Sequence, residues 1–201
     1  MATILVTHGI PAEGFSLLSG EKIVIPKPLM QFSTLPDTVT DSTAELAIGL
    51  MLAVSRRIGE NSLRAREEAP ENLFGMGRSM GRSLRGQTLG LLGCGRIGKR
   101  TAEIAVALGM RCIGYSRHGV NHPQVESVTL PELLAQSDVL CLHCPLTQET
   151  RRLLERSALA RMKQGSILIN TARGAIVDYD ALADALESEH LRGAGLDVYP
   201  D

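Results

Sequence analysis

Apolar and polar positions along this chain fall into two differently organised stretches. The first opens with a β-rich run, "TILVT" (3–7), then a short helix over "PAEGFSLLSG" with proline near its start, then a second strand, "KIVIP" (22–26). A strand–helix–strand unit normally continues into more parallel sheet, but here the period breaks. "KPLMQFSTLPDTVT" (27–40) has two prolines and no periodicity, and reads as a connector. Ser42-x-x-Glu45 has the form of a capping box. The run behind it, "LAIGLMLAVSRRIGE" (46–60), is apolar almost all round before basic residues near its end. A helix apolar on every side requires burial between two layers or against another subunit. Residues 61–86 are polar, basic and dotted with glycine, and read as a loop or broken helix.

From Gln87 the second stretch is regular. Strand "TLGLL", helix "RIGKRTAEIAVALG", strand "RCIGY", a short helix around "PELLAQ" and strand "DVLCLH" come first. A helix around "SALARM", strand "SILIN", helix "DYDALADALES" and strand "GAGLDV" follow. Strand and helix alternating over short connections predict an α/β fold, a doubly wound parallel sheet with helices on both faces. The organisation expected is therefore a partial domain over 1–33, a connector and long helix over 34–86, and one doubly wound domain over 87–201.

Composition narrows the function classes. Hydrophobic residues at 44% and charged ones at 21% suit an ordinary packed core. A net charge of -1, 3% aromatics and no tryptophan argue against nucleic acid or an anionic membrane as partner. The start "MATILVTHGIPAEG" lacks the basic leader and long apolar run of a signal peptide. The apolar patch from Ala44 to Val54, interrupted by Glu45, is too short to span a bilayer. The four cysteines are read as reduced thiols in the cytoplasm. Cys141-x-x-Cys144 has no second Cys or His pair at ligand spacing, so no metal site is expected.

The candidate chemistry begins at Gly93-Cys94-Gly95-Arg96-Ile97-Gly98, which fits G-x-G-x-x-G between a predicted strand and a predicted helix. In that setting Gly93 permits the tight turn, Gly95 lets the backbone approach a pyrophosphate, and Gly98 lets helix pack closely on strand. The helix amino terminus then offers free N–H groups to the phosphates of a dinucleotide. An NAD site usually carries an acidic residue at the end of the next strand, to accept bonds from the ribose hydroxyls. Here that position is Ser116, followed by Arg117 and His118. Serine does not repel a phosphate, Arg117 pairs with one through a planar fork, and a protonated His118 adds a donor, so NADP(H) is expected over NAD(H).

Five stretches now act together: "TAELAIGLMLAVSRR", "LRGQTLGLLGCGRIG", "LHCPLTQET", "INTARGAIVDYDALADAL" and "GAGLDV". In that order they resemble the D-isomer-specific 2-hydroxyacid dehydrogenases, over nearly everything from Thr38 to Asp201. The resemblance implies a Rossmann-type NAD(P)-binding domain with a remnant of a flavodoxin-like substrate domain before it. It implies hydride transfer between the nicotinamide and a small 2-keto acid such as glyoxylate or hydroxypyruvate. By the same resemblance Arg96 and Ile97 lie against the pyrophosphate, and Cys144 and Pro145 line the pocket near the adenosine half. Thr171, Ala172 and Arg173 sit by the nicotinamide, Arg173 is catalytic in holding the substrate's carboxylate and keto oxygen, and Asp197 bonds the carboxamide. A homodimer through the long helix is implied too.

Two departures from the family pattern qualify the activity expected. Only about 33 residues precede the connector, where a domain of ordinary size is expected. The glutamate that orients the family's catalytic histidine, and the histidine itself, are expected beyond "DVYPD". The reading is accordingly of a truncated, impaired enzyme, with a non-catalytic dinucleotide-binding or interaction protein, or an inactive fragment, as the alternative.

Overall fold

The computed structural model describes residues 3–5, 22–24, 36–67 and 80–199. Its chain forms two compact units, residues 1–36 and 37–201. In the first, β1 (Thr3–Leu5) and β2 (Lys22–Val24) pair in parallel, with Thr3 opposite Lys22 and Leu5 opposite Val24. Both lie inside runs predicted as strands. The helix expected between them falls outside the described residues.

The helical segment that follows differs from expectation at both ends. α1 (Pro36–Ser55) begins at Pro36, so Ser42 is no cap and the end of the expected connector is already helical. Proline lacks only a backbone N–H that a first turn leaves unpaired anyway. Ser42 sits inside the helix, its hydroxyl donating back to Val39 O at 3.3 Å. α1 stops at Ser55, Arg56 and Arg57 turn with Arg57 at φ 55°, and α2 (Ile58–Glu67) follows. The one helix expected over 46–60 is thus two, and the start of the expected loop is helical. α1 buries Ala44, Ala47, Ile48 and Met51 as a single helical stripe and leaves Val39 and Leu46 exposed. The polar sequence of α2 has no such stripe to continue.

Six strands form the main sheet: β3 (Thr88–Leu92), β4 (Arg111–Tyr115), β5 (Val125–Ser127), β6 (Val139–Leu142), β7 (Ser166–Asn170) and β8 (Leu191–Leu196). Their order is β5-β4-β3-β6-β7-β8, every pair parallel. α3 (Arg96–Ala107), α4 (Leu130–Gln136), α5 (Arg156–Leu159) and α6 (Tyr179–Glu187) connect them. Leu89, Leu91, Val139, Cys141, Ile167 and Ile169 pack with α1 and α3, while Leu92, Leu140, Leu142 and Leu168 pack with α4, α5 and α6. Burial on both faces is why these strands read as unbroken apolar runs. Each such leucine or isoleucine contributes about 1.5–3 kcal/mol relative to exposure.

One edge strand escaped the sequence pattern, while the other edge, β8, overlaps the predicted "GAGLDV". β5 has three residues, of which only Val125 is buried, so no apolar run announces it. α4 carries a true capping box: Thr129 Oγ1 accepts from Glu132 N–H at 3.4 Å, and Glu132 Oε2 accepts from Thr129 N–H at 2.8 Å. The Thr129 N–H and the Thr129 hydroxyl, which donates to the same Oε2 at 2.7 Å, favour the ionised form and hold the Glu132 carboxyl below the usual range. In β8, "GAG" is the surface on which α1 crosses: a Cβ on Gly193 would stand 2.6 Å from Val54 Cγ1.

Among the described residues no helix is long and apolar enough to cross a membrane. After β5 the chain recrosses the sheet to place β6 on the other side of β3. That reversal parts the connections leaving the carboxyl ends of β3 and β6, where ligands of open α/β sheets bind.

Candidate functional site

β3 is followed at once by Gly93, which takes φ +101° while its N–H donates to Tyr115 O at 2.9 Å. This left-handed turn suits glycine for a second reason: a Cβ there would lie 2.7 Å from Cys144 N. Gly95 is the N-cap of α3 and has open space where a Cβ would stand; no side chain caps this helix end. A Cβ on Gly98 would be 2.3 Å from Gly93 O, closer than atoms approach. The three glycines therefore meet the turn, the open approach and the close packing through separate constraints. Arg96 and Ile97 occupy the first positions of α3.

A cavity of about 470 Å³ opens beside this turn. It gathers Gly93 and Gly95 from the turn, Ser116, Arg117 and His118 from the end of β4, and Cys144 and Pro145 from the end of β6. Leu130 and Leu153 add apolar wall. Arg117 Nη1 meets Glu149 Oε2 at 2.9 Å, and Arg117 Nε lies 3.4 Å from His118 Nε2. Behind Pro145 the loop is folded on itself: Thr147 N–H donates to Thr150 Oγ1 at 2.7 Å, and that hydroxyl donates to Pro145 O at 2.7 Å.

His143 lines the same cavity, with its ring enclosed although part of the residue is exposed. Burial pushes its imidazole down to about 4, and Nε2 has no partner among the described residues. At pH 7 it is therefore the neutral imidazole and not the imidazolium acid. Cys141 belongs to the core on the α1 side and Cys144 packs on the other side, so the two sulfurs of "CLHC" face opposite ways across the sheet. Among the described residues no three His, Cys, Asp or Glu side chains gather as metal ligands.

Thr171, Ala172, Arg173 and Asp197 are absent from the lining of that cavity. They follow the carboxyl ends of β7 and β8, where Asn170 pairs with Leu196. Asn170 organises this half, and sequence reasoning passed it over. Fully buried, it accepts from Ala172 N–H at 3.0 Å, donates through Nδ2 to Arg173 O at 3.0 Å, and its carbonyl accepts from Asp197 N–H at 3.0 Å. Tyr179, also unforeseen, donates its hydroxyl to Val198 O at 2.7 Å. The Arg173 and Asp197 residues are exposed, Arg173 Nη1 donates to Ala172 O at 2.6 Å, and Thr171 Oγ1 is buried without a partner among the described residues. The paired threonines of "LTQET" were a readable signal for the folded loop; a lone asparagine ending a strand was not.

A second hollow of about 810 Å³ is lined by Gln164, Gly165, Leu191 and Arg192, at the amino-terminal edge of β7 and β8. Doubly wound sheets bind at the opposite edge, so the first cavity is the candidate.

Comparison with known proteins agrees with this geometry. The family model described as the NAD binding domain of D-isomer specific 2-hydroxyacid dehydrogenases matches residues 48–201. A glyoxylate reductase of Thermococcus litoralis is 43% identical over 175 residues, covering 83% of this chain and 52% of that protein. A hydroxypyruvate reductase of Thermotoga maritima is 42% identical over 166 residues, covering 82% of this chain and 53% of that protein. The NAD-dependent formate dehydrogenase of Staphylococcus aureus, solved with NAD, superposes with a TM-score of 0.75 at 35% identity, covering 81% of this chain and 49% of that one. The chain spans about half the length of these relatives. A six-stranded parallel sheet, a glycine turn at its switch point and the motifs in family order leave one conclusion: the chain belongs to the D-isomer-specific 2-hydroxyacid dehydrogenase family.

Proposed function

We propose that residues 87–201 form the dinucleotide-binding domain of an oxidoreductase that moves a hydride between NADPH, or less favourably NADH, and a small 2-keto acid such as glyoxylate or hydroxypyruvate. Residues 1–33 would be part of its substrate domain and 34–86 the link between them. The observation that carries this reading is the glycine turn beside the cavity: Gly93 and Gly98 exclude any side chain there, while Gly95 stays open.

The residues present fit a dinucleotide. Backbone N–H groups of Arg96, Ile97 and Gly98 at the uncapped start of α3 would hold the pyrophosphate. Ser116, Arg117 and His118 would face the adenosine ribose, Arg117 favouring a 2′-phosphate, with Cys144 and Pro145 along the adenosine side. The nicotinamide supplies the hydride. Thr171 and Ala172 would border it, the Thr171 hydroxyl offering an unused polar atom. Asp197 would accept from its carboxamide.

Arg173 would clamp the planar carboxylate and the keto oxygen of the substrate with one guanidinium, fixing the carbonyl and stabilising charge that develops on its oxygen. His143, neutral and enclosed, moves no proton in this scheme. Two copies would pair through the region of α1 and α2, whose Leu46, Ile58 and Leu63 are exposed.

The test is reduction of glyoxylate and hydroxypyruvate with NADPH, followed by dinucleotide absorbance. Turnover that Arg173→Ala leaves unchanged would sink the catalytic assignment. Equal affinity for NADPH and NADH, unaltered by Arg117→Ala, would sink the cofactor preference. A monomeric mass in light scattering would rule out the dimer.

A further inference from the structure

The acid that an NAD site expects at the end of its second strand is Ser116 here, yet a carboxylate does reach the same wall of the cavity. It comes from another element. Glu149, on the loop after β6, brings Oε2 to 2.9 Å from Arg117 Nη1 at the end of β4, and both residues line the cavity with Ser116. The loop that carries it is folded on itself: Thr150 Oγ1 takes the Thr147 N–H and donates to Pro145 O, and the Thr147 hydroxyl lies 3.4 Å from Glu149 Oε2. Glu149 thus faces Arg117 from a loop bonded to itself, with both side chains largely exposed.

We infer that Glu149 is a specificity-determining residue for the dinucleotide: its carboxylate occupies Arg117 and supplies the acceptor that position 116 has lost, narrowing without reversing the preference for NADPH that Arg117 confers. This rests on the dinucleotide reading of the cavity. A 2′-phosphate that pairs with Arg117 must displace Glu149 Oε2 from the guanidinium and then sit beside a like charge. A 2′-hydroxyl does neither; it donates to a carboxylate, and Glu149 is the carboxylate lining this cavity. Cofactor choice is thus set by two residues on different strand ends acting against each other.

The experiment is titration of NADPH, NADH, adenosine 2′,5′-bisphosphate and AMP into the wild-type chain, Glu149→Gln, Arg117→Ala and the double variant, with circular dichroism to check folding. An exposed ion pair is worth up to about 1 kcal/mol, roughly fivefold. Glu149→Gln is expected to tighten NADPH and the bisphosphate by about fivefold while NADH and AMP stay level or weaken. In the Arg117→Ala background the gain for NADPH should shrink to less than about twofold, since Glu149 acts through Arg117. A NADPH-to-NADH ratio unchanged by Glu149→Gln, with both dinucleotides binding, overturns the role of Glu149 alone. Failure of either dinucleotide to bind the folded wild-type chain overturns the dinucleotide reading and this role with it.

Discussion

Two halves of one sheet edge are built on opposite plans. Beside β3, β4 and β6 the chain makes a concave cavity by leaving side chains out: Gly93 and Gly98 let backbone approach backbone, Gly95 leaves open space, and the Arg117–Glu149 pair lines the wall. Beside β7 and β8 the two side chains proposed for the nicotinamide and the substrate, Arg173 and Asp197, stand exposed on a backbone hydrogen-bonded to Asn170 and Tyr179. The first half is a shape that excludes alternatives sterically; the second is a pair of side chains aimed by one buried amide. On the proposed function, binding belongs to the first half and chemistry to the second, and each should fail in its own way.

The largest effect expected is at the turn. Gly98→Val puts a branched side chain where Gly93 O already lies 2.3 Å from a Cβ; the strain displaces the turn proposed to hold the pyrophosphate, and loss of that contact is expected to weaken binding by roughly 100-fold, about 3 kcal/mol. Fluorescence titration should show NADH or NADPH binding weakened by about that factor. Affinity within about threefold of wild type would show that the turn is not where the dinucleotide lies.

Acid should loosen the same half next. Burial holds the His143 imidazole at about 4, against an ordinary 6.5, so the unfolded chain takes up the proton first. Stability is full above pH 6.5 and falls as pH drops toward 4, by roughly 2–3 kcal/mol. Urea denaturation at several pH values should show this slope, and His143→Gln should flatten it. Hydrogen exchange should rise earlier at the β3 and β6 ends than at the β7 end.

Asn170→Ala separates the halves from the other side. It leaves the Ala172 N–H and Arg173 O without their partner and should cost about 2 kcal/mol in urea denaturation. AMP affinity should hold within about twofold. Asn170→Asp keeps the acceptor and loses the donor, and should fall between. A drop in AMP binding as large as the drop in turnover would mean that the halves are coupled.

The smallest effect is a protection. Burial pushes the Cys94 and Cys112 thiols up to about 11 and Cys141 higher still, whereas Cys144 is only partly buried and borders the cavity. A thiol reagent at pH 8 should label Cys144 first, and saturating dinucleotide should slow that labelling severalfold. Labelling indifferent to dinucleotide would place the ligand away from the β6 end.

The contrast also marks what local sequence encodes. Apolar runs such as "TLGLL" and "SILIN" became β3 and β7, because a parallel strand buried on both faces admits little else. The glycine spacing located the turn. Two capping-box patterns show the limit: Ser42-x-x-Glu45 lies inside α1, while Thr129-x-x-Glu132 caps α4. Both have the right residues at the right spacing. Only Thr129 itself stands outside the helix, with φ -74° and ψ 161°.

By itself, then, the sequence determined the alternation of strands and helices, the glycine turn and the family, since all three rest on residues near one another along the chain. The tertiary structure decided the rest. Glu149 meets Arg117, and Asp197 meets Asn170, because a parallel sheet gathers every strand's carboxyl end on one edge, so groups far apart in sequence become hydrogen-bonding neighbours. No local periodicity carries that information: which two strand ends adjoin is set by the order in which the strands pack.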